Sequence, residues 1–174
     1  MPPTLATRTY LELRAPDALR PGRAPVSPPV LARAERLGAA EYRALYTLVG
    51  ERWRWRDRLA WGDAELESYL RDPGVAVWVA RVGDDVAGYF ELRSLAGDAT
   101  EIVYFGLAPQ FIGRGLGGWL LTRAVEVAFA AGAHRIVLNT CTLDSPRALP
   151  NYLARGFRIV REEEYEVREL RDQE

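Results

Sequence analysis

The segment from Glu101 to Leu121, EIVYFGLAPQFIGRGLGGWLL, joins an apolar run to a glycine-rich turn and then to an amphipathic stretch. This succession predicts a strand, a turn and the start of a helix. A helix start leaves backbone N–H groups unpaired and carries the positive end of the helix dipole, and glycines let a phosphate approach those groups. The segment therefore predicts a binding site for a phosphorylated ligand, with a ligand-free glycine-rich connection as the simpler alternative.

Two well-known phosphate-binding motifs fit this turn poorly. The phosphate loop of nucleotide triphosphatases needs a lysine, and all 23 basic residues of this chain are arginines. The glycines at 113, 115 and 118 match the dinucleotide fingerprint G-x-G-x-x-G, but residues 108–112 separate them from the strand. About 20 residues further on, where an acid would bind the ribose, Leu138 stands instead. A dinucleotide-binding protein is therefore the weaker alternative.

Length and composition are those of an ordinary globular chain. With 174 residues, of which 48% are hydrophobic, the sequence predicts a single domain over residues 1–174. The net charge of −1 argues against a nucleic-acid partner, and neither a signal peptide nor a membrane-spanning apolar run is visible. Cys141 is the single cysteine, so we expect no disulfide, no metal site and a reducing, cytoplasmic setting.

Hydrophobic periodicity predicts the elements around this segment, and prolines predict that residues 15–29 form an irregular, flexible loop. Asp144 and Pro146 resemble an N-cap and a first helical residue. The last stretch predicts one or two strands that contain an acidic loop, Glu162–Glu164. The predicted order is βααβββαβαβ(β), with further strands at Leu5–Arg14, Val75–Val82, Val86–Leu95, Arg135–Thr142 and Phe157–Val167, and helices at Ala39–Trp55, at Ala64–Leu70, from Leu116 to near Gly132 and from Pro146 to Arg155.

Two motifs together resemble those of the GNAT superfamily of acyl-CoA-dependent N-acetyltransferases. The first is P-x-x-x-G-x-G-x-G-x-x-L-L, from Pro109 to Leu121, after a strand that begins with an acid. The second, DSPRALPNYLARGF from Asp144 to Phe157, is similar to N-x-R-A-x-x-x-Y-x-x-x-G-F, with Ser145 in place of the Asn. The resemblance implies the GNAT fold, an α/β (α+β) domain with a central mixed, mostly antiparallel β-sheet flanked by helices.

The resemblance also implies acetyl-CoA as the co-substrate. In the superfamily, backbone N–H groups of the glycine turn make most contacts to the pyrophosphate. A strand N–H, here that of Phe105, donates a hydrogen bond to the thioester oxygen. When Gly115, Gly117 and Leu120 set the register, Ile112 stands where the superfamily has Arg or Gln, so one side-chain contact is lost. Gln110 gives the literal match only if the register slips by two residues. The implied cofactor-binding residues are Phe105, Gly106, Leu107, Ile112, Gly113, Arg114, Gly115, Leu116 and Gly117.

Two side chains are implied to be catalytic. A protonated amine has no lone pair, so a base must remove a proton, and Glu101 aligns with the carboxylate that serves in several relatives. A salt bridge with an arginine is the alternative role for Glu101, and Glu91 is the reserve base. Tyr152 aligns with the phenol that meets the CoA sulfur, with a place in the hydrophobic core as its alternative role.

Aromatic and basic residues of the first predicted helix and of the segment that follows it mark the region that usually sets the acceptor in the superfamily. They are Tyr46, Trp53, Trp55, Arg56, Arg58 and Trp61. Such a cluster suits a cage for a cationic amine, but packing of the two helices onto the sheet is the favoured interpretation.

Together these features predict an N-acetyltransferase that moves an acetyl group from acetyl-CoA to a primary amine of a small molecule or peptide. The amine would attack directly within a ternary complex, without a metal, nucleic acid or membrane, and a homodimer is a candidate assembly. The alternative is a non-catalytic acyl-CoA-binding module. Its sign would be the loss of both catalytic side chains, and this sequence retains both of them.

Overall fold

The computed structural model describes residues 4–167, and residues 1–3 and 168–174 of the predicted domain lie outside this description. Within the described range the chain forms seven β-strands and four α-helices in the order ββααβββαβαβ. The strands are β1 (Leu5–Leu13), β2 (Val30–Arg33), β3 (Val75–Val82), β4 (Asp85–Ser94), β5 (Ala99–Leu107), β6 (Arg135–Cys141) and β7 (Arg158–Glu166). The helices are α1 (Ala39–Gly50), α2 (Asp63–Leu70), α3 (Leu116–Ala130) and α4 (Ala148–Ala154).

The seven strands form one sheet in the order β2-β3-β4-β5-β6-β1-β7. Neighbouring strands are antiparallel except β5 and β6, which run parallel. A parallel pair needs a crossover connection, and α3 provides it. The mixed, mostly antiparallel sheet with its flanking helices confirms the predicted fold class.

Helices cover both faces of this sheet. Side chains alternate between the two faces along a strand, and neighbouring residues of β4 show the division. Phe90 packs into a core that contains residues of α3 and α4, whereas Tyr89 packs into a second core that contains residues of α1 and α2. The centre of the sheet is therefore buried on both sides. None of the described helices combines the length and apolar character needed to cross a membrane.

The first third of the chain differs from the prediction in two places. The sequence does not predict β2, a short strand that pairs with β3 at the edge of the sheet. Helix α1 ends at Gly50 rather than at Trp55, because the Trp55 ring folds back over Gly50. A Cβ atom on Gly50 would lie 2.6 Å from Cγ of that ring. Two 3₁₀ turns, Glu51–Trp53 and Asp57–Ala60, follow in place of more helix.

The predictions for the last two elements also need correction. Helix α4 begins at Ala148, two residues later than predicted, because the Asp144 carboxylate does not cap it. That carboxylate accepts hydrogen bonds from Oγ1 of Thr140 (2.7 Å) and from the backbone N–H of Cys141 (3.0 Å), so it fixes the end of β6 instead. Residues 162–164 are not a loop, because they belong to the single strand β7 and pair with β1.

Residues 15–29, here called the N-terminal strap, form the predicted irregular connection, and hydrogen bonds hold part of it against two helices. The backbone N–H of Arg20 donates to the carbonyl oxygen of Arg155 after α4 (2.9 Å). The N–H of Gly22 donates to Oγ1 of Thr122 on α3 (2.8 Å). Hydrogen bonds therefore join the strap to both helices, and its predicted flexibility stays a prediction.

Candidate active site

The parallel strands β5 and β6 separate early and leave a cleft between them. They pair only through Ala99–Glu101 and Arg135–Val137, and β5 then continues beside β4 alone. The resulting cleft has a volume of about 1420 Å³, with walls from β5, β6, α4, the start of α3 and the segment between α1 and α2. Ligand pockets usually measure about 300–1,000 Å³. This cleft therefore has room for an extended ligand and a second molecule.

Two backbone N–H groups of β5 point toward the space that β6 leaves open. The N–H of Ala108 donates to the carbonyl oxygen of Ala87 on β4 (2.9 Å). Along an antiparallel pair the N–H groups alternate between the partner strand and the opposite side. The N–H groups of Phe105 and Leu107 therefore point away from β4, and both residues line the cleft. These are the residues for which contacts to the thioester and the pantetheine arm are predicted.

A β-bulge in β5 sets the faces on which its side chains lie. Leu92 of β4 is paired with Ile102 and Glu91 with Tyr104, so Val103 is the extra residue. The bulge places Ile102 in the core next to α3 and Tyr104 beside the core of α1, although these residues are two apart in sequence. It therefore turns Tyr104 toward the α1 side and leaves the following residues in position to face the cleft.

The turn before α3 is built on glycines in the left-handed conformation. Gly113 has φ +84° and Gly115, which directly precedes the helix, has φ +76°, a region in which side chains are strained. The first N–H groups of α3 have no partner within the helix. Ile112, Gly113, Gly115, Leu116 and Gly117 line the cleft. Arg114 does not line it, because its guanidinium lies over the Phe111 ring, 5.1 Å from the centroid.

If the turn binds the pyrophosphate of CoA, as the resemblance implies, Gly115→Ala should weaken CoA binding about tenfold, because the new Cβ is strained at φ +76° and disturbs the N–H groups at the helix start. Gly97→Ala is the matched control, since Gly97 has φ +74°, equal free space and a position in the β4–β5 turn. Calorimetric titration with CoA, together with melting temperatures, compares the two. Equal loss of CoA affinity in both variants would place the phosphate site elsewhere.

Tyr152 of α4 lies in the same cleft, beside β5. Its ring meets those of Phe105 and Phe157 edge-on, with centroids 6.2 and 6.1 Å away, and the residue is 7% exposed. Burial, and after it the negative charge of Asp144, raises the pKa of the phenol above its ordinary value. The hydroxyl group therefore stays protonated at neutral pH and is available as a hydrogen-bond donor.

Glu101 lines the cleft at the point where β5 and β6 part. Its Oε2 atom accepts a hydrogen bond of 2.5 Å from Nη2 of Arg93, the cross-strand neighbour on β4. The side chain of Glu101 is 17% exposed and that of Arg93 is 41% exposed. Glu101 thus forms the salt bridge that the sequence offers as its alternative role. Within residues 4–167 its Oε1 atom has no hydrogen-bond partner, so a base role is compatible with this pair.

Glu91, the reserve base, is unsuited to that role because its side chain is completely buried and does not line the cleft. Oε1 accepts a hydrogen bond from the Tyr42 hydroxyl (2.5 Å), and Oε2 accepts others from the Tyr69 hydroxyl (2.6 Å) and Nη2 of Arg58 (3.0 Å). Burial, and then the charge of Glu91, raises the pKa of both tyrosines, which keeps them protonated as donors. The carboxylate is therefore structural.

Arg58 lies among three aromatic rings, of which that of Trp61 belongs to the cluster that the sequence suggests as a cage for a cationic substrate. Its Cζ atom lies 4.0, 4.4 and 5.3 Å from the ring centroids of Trp61, Tyr69 and Tyr104. This arrangement supports the packing interpretation for that part of the cluster. The remaining members of the predicted acceptor region line the cleft, namely Tyr46, Trp53, Trp55 and Arg56.

Sequence reasoning missed several residues of the cleft wall. Arg8 of β1 and Tyr165 of β7 line it next to Cys141, and Arg23 reaches it from the N-terminal strap. The Cα partner of Arg8 is Cys141, and its guanidinium lies 4.6 Å from the centroid of the Tyr165 ring. These neighbours come together only through strand pairing across the sheet, so no local motif indicates them.

Comparison with known proteins identifies the class to which this fold and cleft belong. The model of the acetyltransferase (GNAT) family matches residues 42–157. Because this match covers more than half of the chain, the protein belongs to the GNAT acetyltransferase family.

Individual relatives agree with this assignment. An uncharacterised N-acetyltransferase, YedL, of Escherichia coli (strain K12) is 32% identical over 89 residues, which are 51% of this chain and 56% of that protein. A GCN5-related N-acetyltransferase from Sphaerobacter thermophilus has a TM-score of 0.62 at 18% identity and covers 97% of this chain, which spans 53% of that one. A Bacillus subtilis acetyltransferase in complex with CoA has a TM-score of 0.56 at 24% identity, over 74% of this chain and 75% of that one. The chain thus spans about half the length of the first two, and the solved structures show its fold.

Proposed function

We propose that this protein transfers an acetyl group from acetyl-CoA to a primary amine of a small molecule or peptide. The observation that carries the proposal is that one cleft is lined by Glu101, by the edge of β5 that β6 leaves unpaired, by the glycine turn and by Tyr152. Acetyl transfer to an amine needs a base, donors for a developing negative charge, a phosphate site and a partner for the leaving thiolate. A cleft that offers all four favours direct transfer within a ternary complex over simple binding of acyl-CoA.

The residues of the cleft fit acetyl-CoA, which supplies an acetyl group activated as a thioester. The N–H groups at the start of α3 would hold the pyrophosphate, with Gly113 and Gly115 leaving the approach open. The N–H of Leu107 would pair with the pantetheine arm as a neighbouring strand does, and the N–H of Phe105 would donate to the thioester oxygen. The Tyr152 hydroxyl would donate to the sulfur. The CoA complex of the Bacillus subtilis relative supports this choice of ligand.

The cleft also favours Glu101 as the group that takes the proton from the attacking amine. Its Oε1 atom is unengaged in the described part of the chain, and the Arg93 guanidinium fixes the other oxygen. Glu101 lies where β5 and β6 separate, so its carboxylate lines the cleft in which both substrates would bind. We further propose a cytoplasmic location, which the single cysteine of the sequence supports.

An amine panel tests the proposed function. The purified full chain is mixed with acetyl-CoA and with primary amines, amino acids and peptides, and released thiol and acetylated product are both measured. The product must be identified by mass, because Cys141 lines the cleft and reacts with thiol reagents itself. Product formation that depends on the amine supports acetyl transfer. Tight CoA binding without any acetylated amine across the panel would favour the non-catalytic acyl-CoA-binding module.

Glu101→Gln should slow acetylation of a small amine about 100-fold at neutral pH, because the amide keeps the size of the side chain but cannot take a proton. The ratio of wild-type to variant rates should fall as pH rises, since more of the amine is then already neutral. Arg93→Gln is the matched control, because it removes the salt bridge and leaves the carboxylate. A ratio that stays flat with pH, or equal losses in both variants, would assign Glu101 a structural role.

A further inference from the structure

The N-terminal strap brings an arginine to the cleft near the first turns of α3. The N–H of Gly22 donates to Oγ1 of Thr122, and the next residue, Arg23, is exposed and lines the cleft. The Thr122 hydroxyl donates in turn to the carbonyl oxygen of Gly118 (2.7 Å). This chain of hydrogen bonds fixes the backbone next to Arg23 relative to α3.

A second arginine is held in the same place by two glycines. Arg155 passes between Gly22 of the strap and Gly118 of α3, and a Cβ atom on Gly22 would lie 2.6 Å from Nη1 of Arg155 and 2.5 Å from the carbonyl carbon of Gly118. A side chain at Gly22 would collide with the backbone of Gly118, and a side chain at Gly118 would displace the guanidinium of Arg155. The Nε atom of Arg155 is buried and has no hydrogen-bond partner within residues 4–167. The guanidinium group therefore lines the cleft in a defined position beside α3.

These two arginines line a part of the cleft next to the glycine turn but not at the turn itself. Arg147 stands at the turn itself, where its Nη1 atom is 3.5 Å from the position of a Cβ on Gly113. Arg155 lies beside Gly118, roughly one helical turn further along α3, and Arg23 directly follows Gly22, whose N–H binds Thr122. In the described part of the chain none of the three arginines forms an ion pair with an acid. Their positive charge is thus available to a ligand.

The geometry points to a second phosphate subsite, in which Arg23 and Arg155 bind the ribose 3′-phosphate of CoA. This inference rests on the proposed function. CoA carries two separate phosphate groups, and the N–H groups of the glycine turn with Arg147 account for the pyrophosphate. The 3′-phosphate is the remaining anion, and a guanidinium fork matches a phosphate group well. The strap is then part of the cofactor site and makes the enzyme distinguish CoA from 3′-dephospho-CoA.

Calorimetric titration of the full chain with CoA and with 3′-dephospho-CoA tests this subsite. The wild type should bind CoA more tightly, and Arg23→Gln should lower the affinity for CoA about tenfold while leaving that for 3′-dephospho-CoA unchanged. Arg20→Gln is the matched control, because Arg20 is an exposed strap arginine that does not line the cleft. It should leave both affinities unchanged.

Three results would overturn the subsite: equal binding of the two ligands by the wild type, equal losses for both ligands in Arg23→Gln, or the same loss in Arg20→Gln. The Arg23 side chain is exposed, so its replacement does not disturb the packing of Arg155 between the glycines. The test also separates this inference from the proposed function. Binding of 3′-dephospho-CoA without discrimination removes the subsite alone, whereas a wild type that binds neither ligand removes both.

Discussion

Tyr152→Phe should lower kcat about 10²- to 10⁴-fold and change the KM for acetyl-CoA much less, because in the proposed mechanism the hydroxyl donates to negative charge that develops on the sulfur during the reaction. Phenylalanine keeps the ring and its edge-on contacts with Phe105 and Phe157, so the core around α4 should remain intact. Rapid-mixing measurements of a single turnover make the chemical step visible if product release limits the steady-state rate.

The pH profile gives the Tyr152 prediction a second readout. Burial, followed by the charge of Asp144, raises the pKa of this phenol, so Tyr152 keeps its proton at pH values where a free tyrosine ionises. The hydroxyl should therefore donate a hydrogen bond to the thiolate without losing the proton completely, since a thiolate with an ordinary pKa near 8.5 is the weaker base. Ionisation of Tyr152 should then cause no fall in kcat up to about pH 10.

Tyr165→Phe is the matched control for this experiment. Tyr165 is a tyrosine of the same cleft, contributed by β7, and it contacts Arg8 rather than Phe105. Its replacement should change kcat little. If Tyr152→Phe leaves the single-turnover rate unchanged with a good substrate, or if both variants lose the same activity, then Tyr152 is a core residue and not the partner of the sulfur.

The parts of this protein that the sequence predicts well are those coded by local signals. The apolar run, the proline and the glycines of the β5–α3 segment lie within 21 consecutive residues, and the structure has a strand, a turn and a helix there. The left-handed φ angles of Gly113 and Gly115 explain why the motif needs glycines at these places. The periodicity of α3 likewise needs no information from distant residues.

The parts that the sequence does not predict depend on contacts between distant segments. Arg23 lines the cleft because the strap packs on α3. Strand β2 forms because residues 30–33 pair with β3 at the edge of the sheet. Asp144 looks like a helix cap in the sequence, but two hydrogen-bond donors at the end of β6 compete for its carboxylate. A helix cap is a local preference that tertiary hydrogen bonds can override.

The buried ion pair of Arg58 and Glu91 also joins residues that are distant in sequence. It lies next to the predicted acceptor region of the cleft. Arg58 belongs to the 3₁₀ turn Asp57–Ala60, and the segment before that turn lines the cleft. The pair, with side chains 7% and 0% exposed, ties this segment to β4. The ion pair therefore holds in place the wall of the cleft that is the predicted acceptor region.

Glu91→Gln should lower the free energy of unfolding by about 3–5 kcal/mol, because it leaves the guanidinium of Arg58 buried without a counter-charge. For a chain of this size the expected decrease in melting temperature is roughly 6–20 °C. Glu101→Gln is the matched control, since it breaks an Arg–Glu pair whose arginine is 41% exposed, and it should lower the free energy of unfolding by less than about 1 kcal/mol.

Kinetics at a temperature where the Glu91 variant is still folded then separate positioning from stability. The KM for the acceptor amine should rise while the calorimetric affinity for CoA stays near that of the wild type. The hydrogen-bond partners of the Glu91 carboxylate are Tyr42, Arg58 and Tyr69, none of which belongs to the glycine turn. Equal stabilities of the Glu91 and Glu101 variants would show that the buried pair does not hold the segment. A loss of CoA affinity as large as the rise in acceptor KM would show that Glu91 supports the whole sheet rather than the acceptor wall.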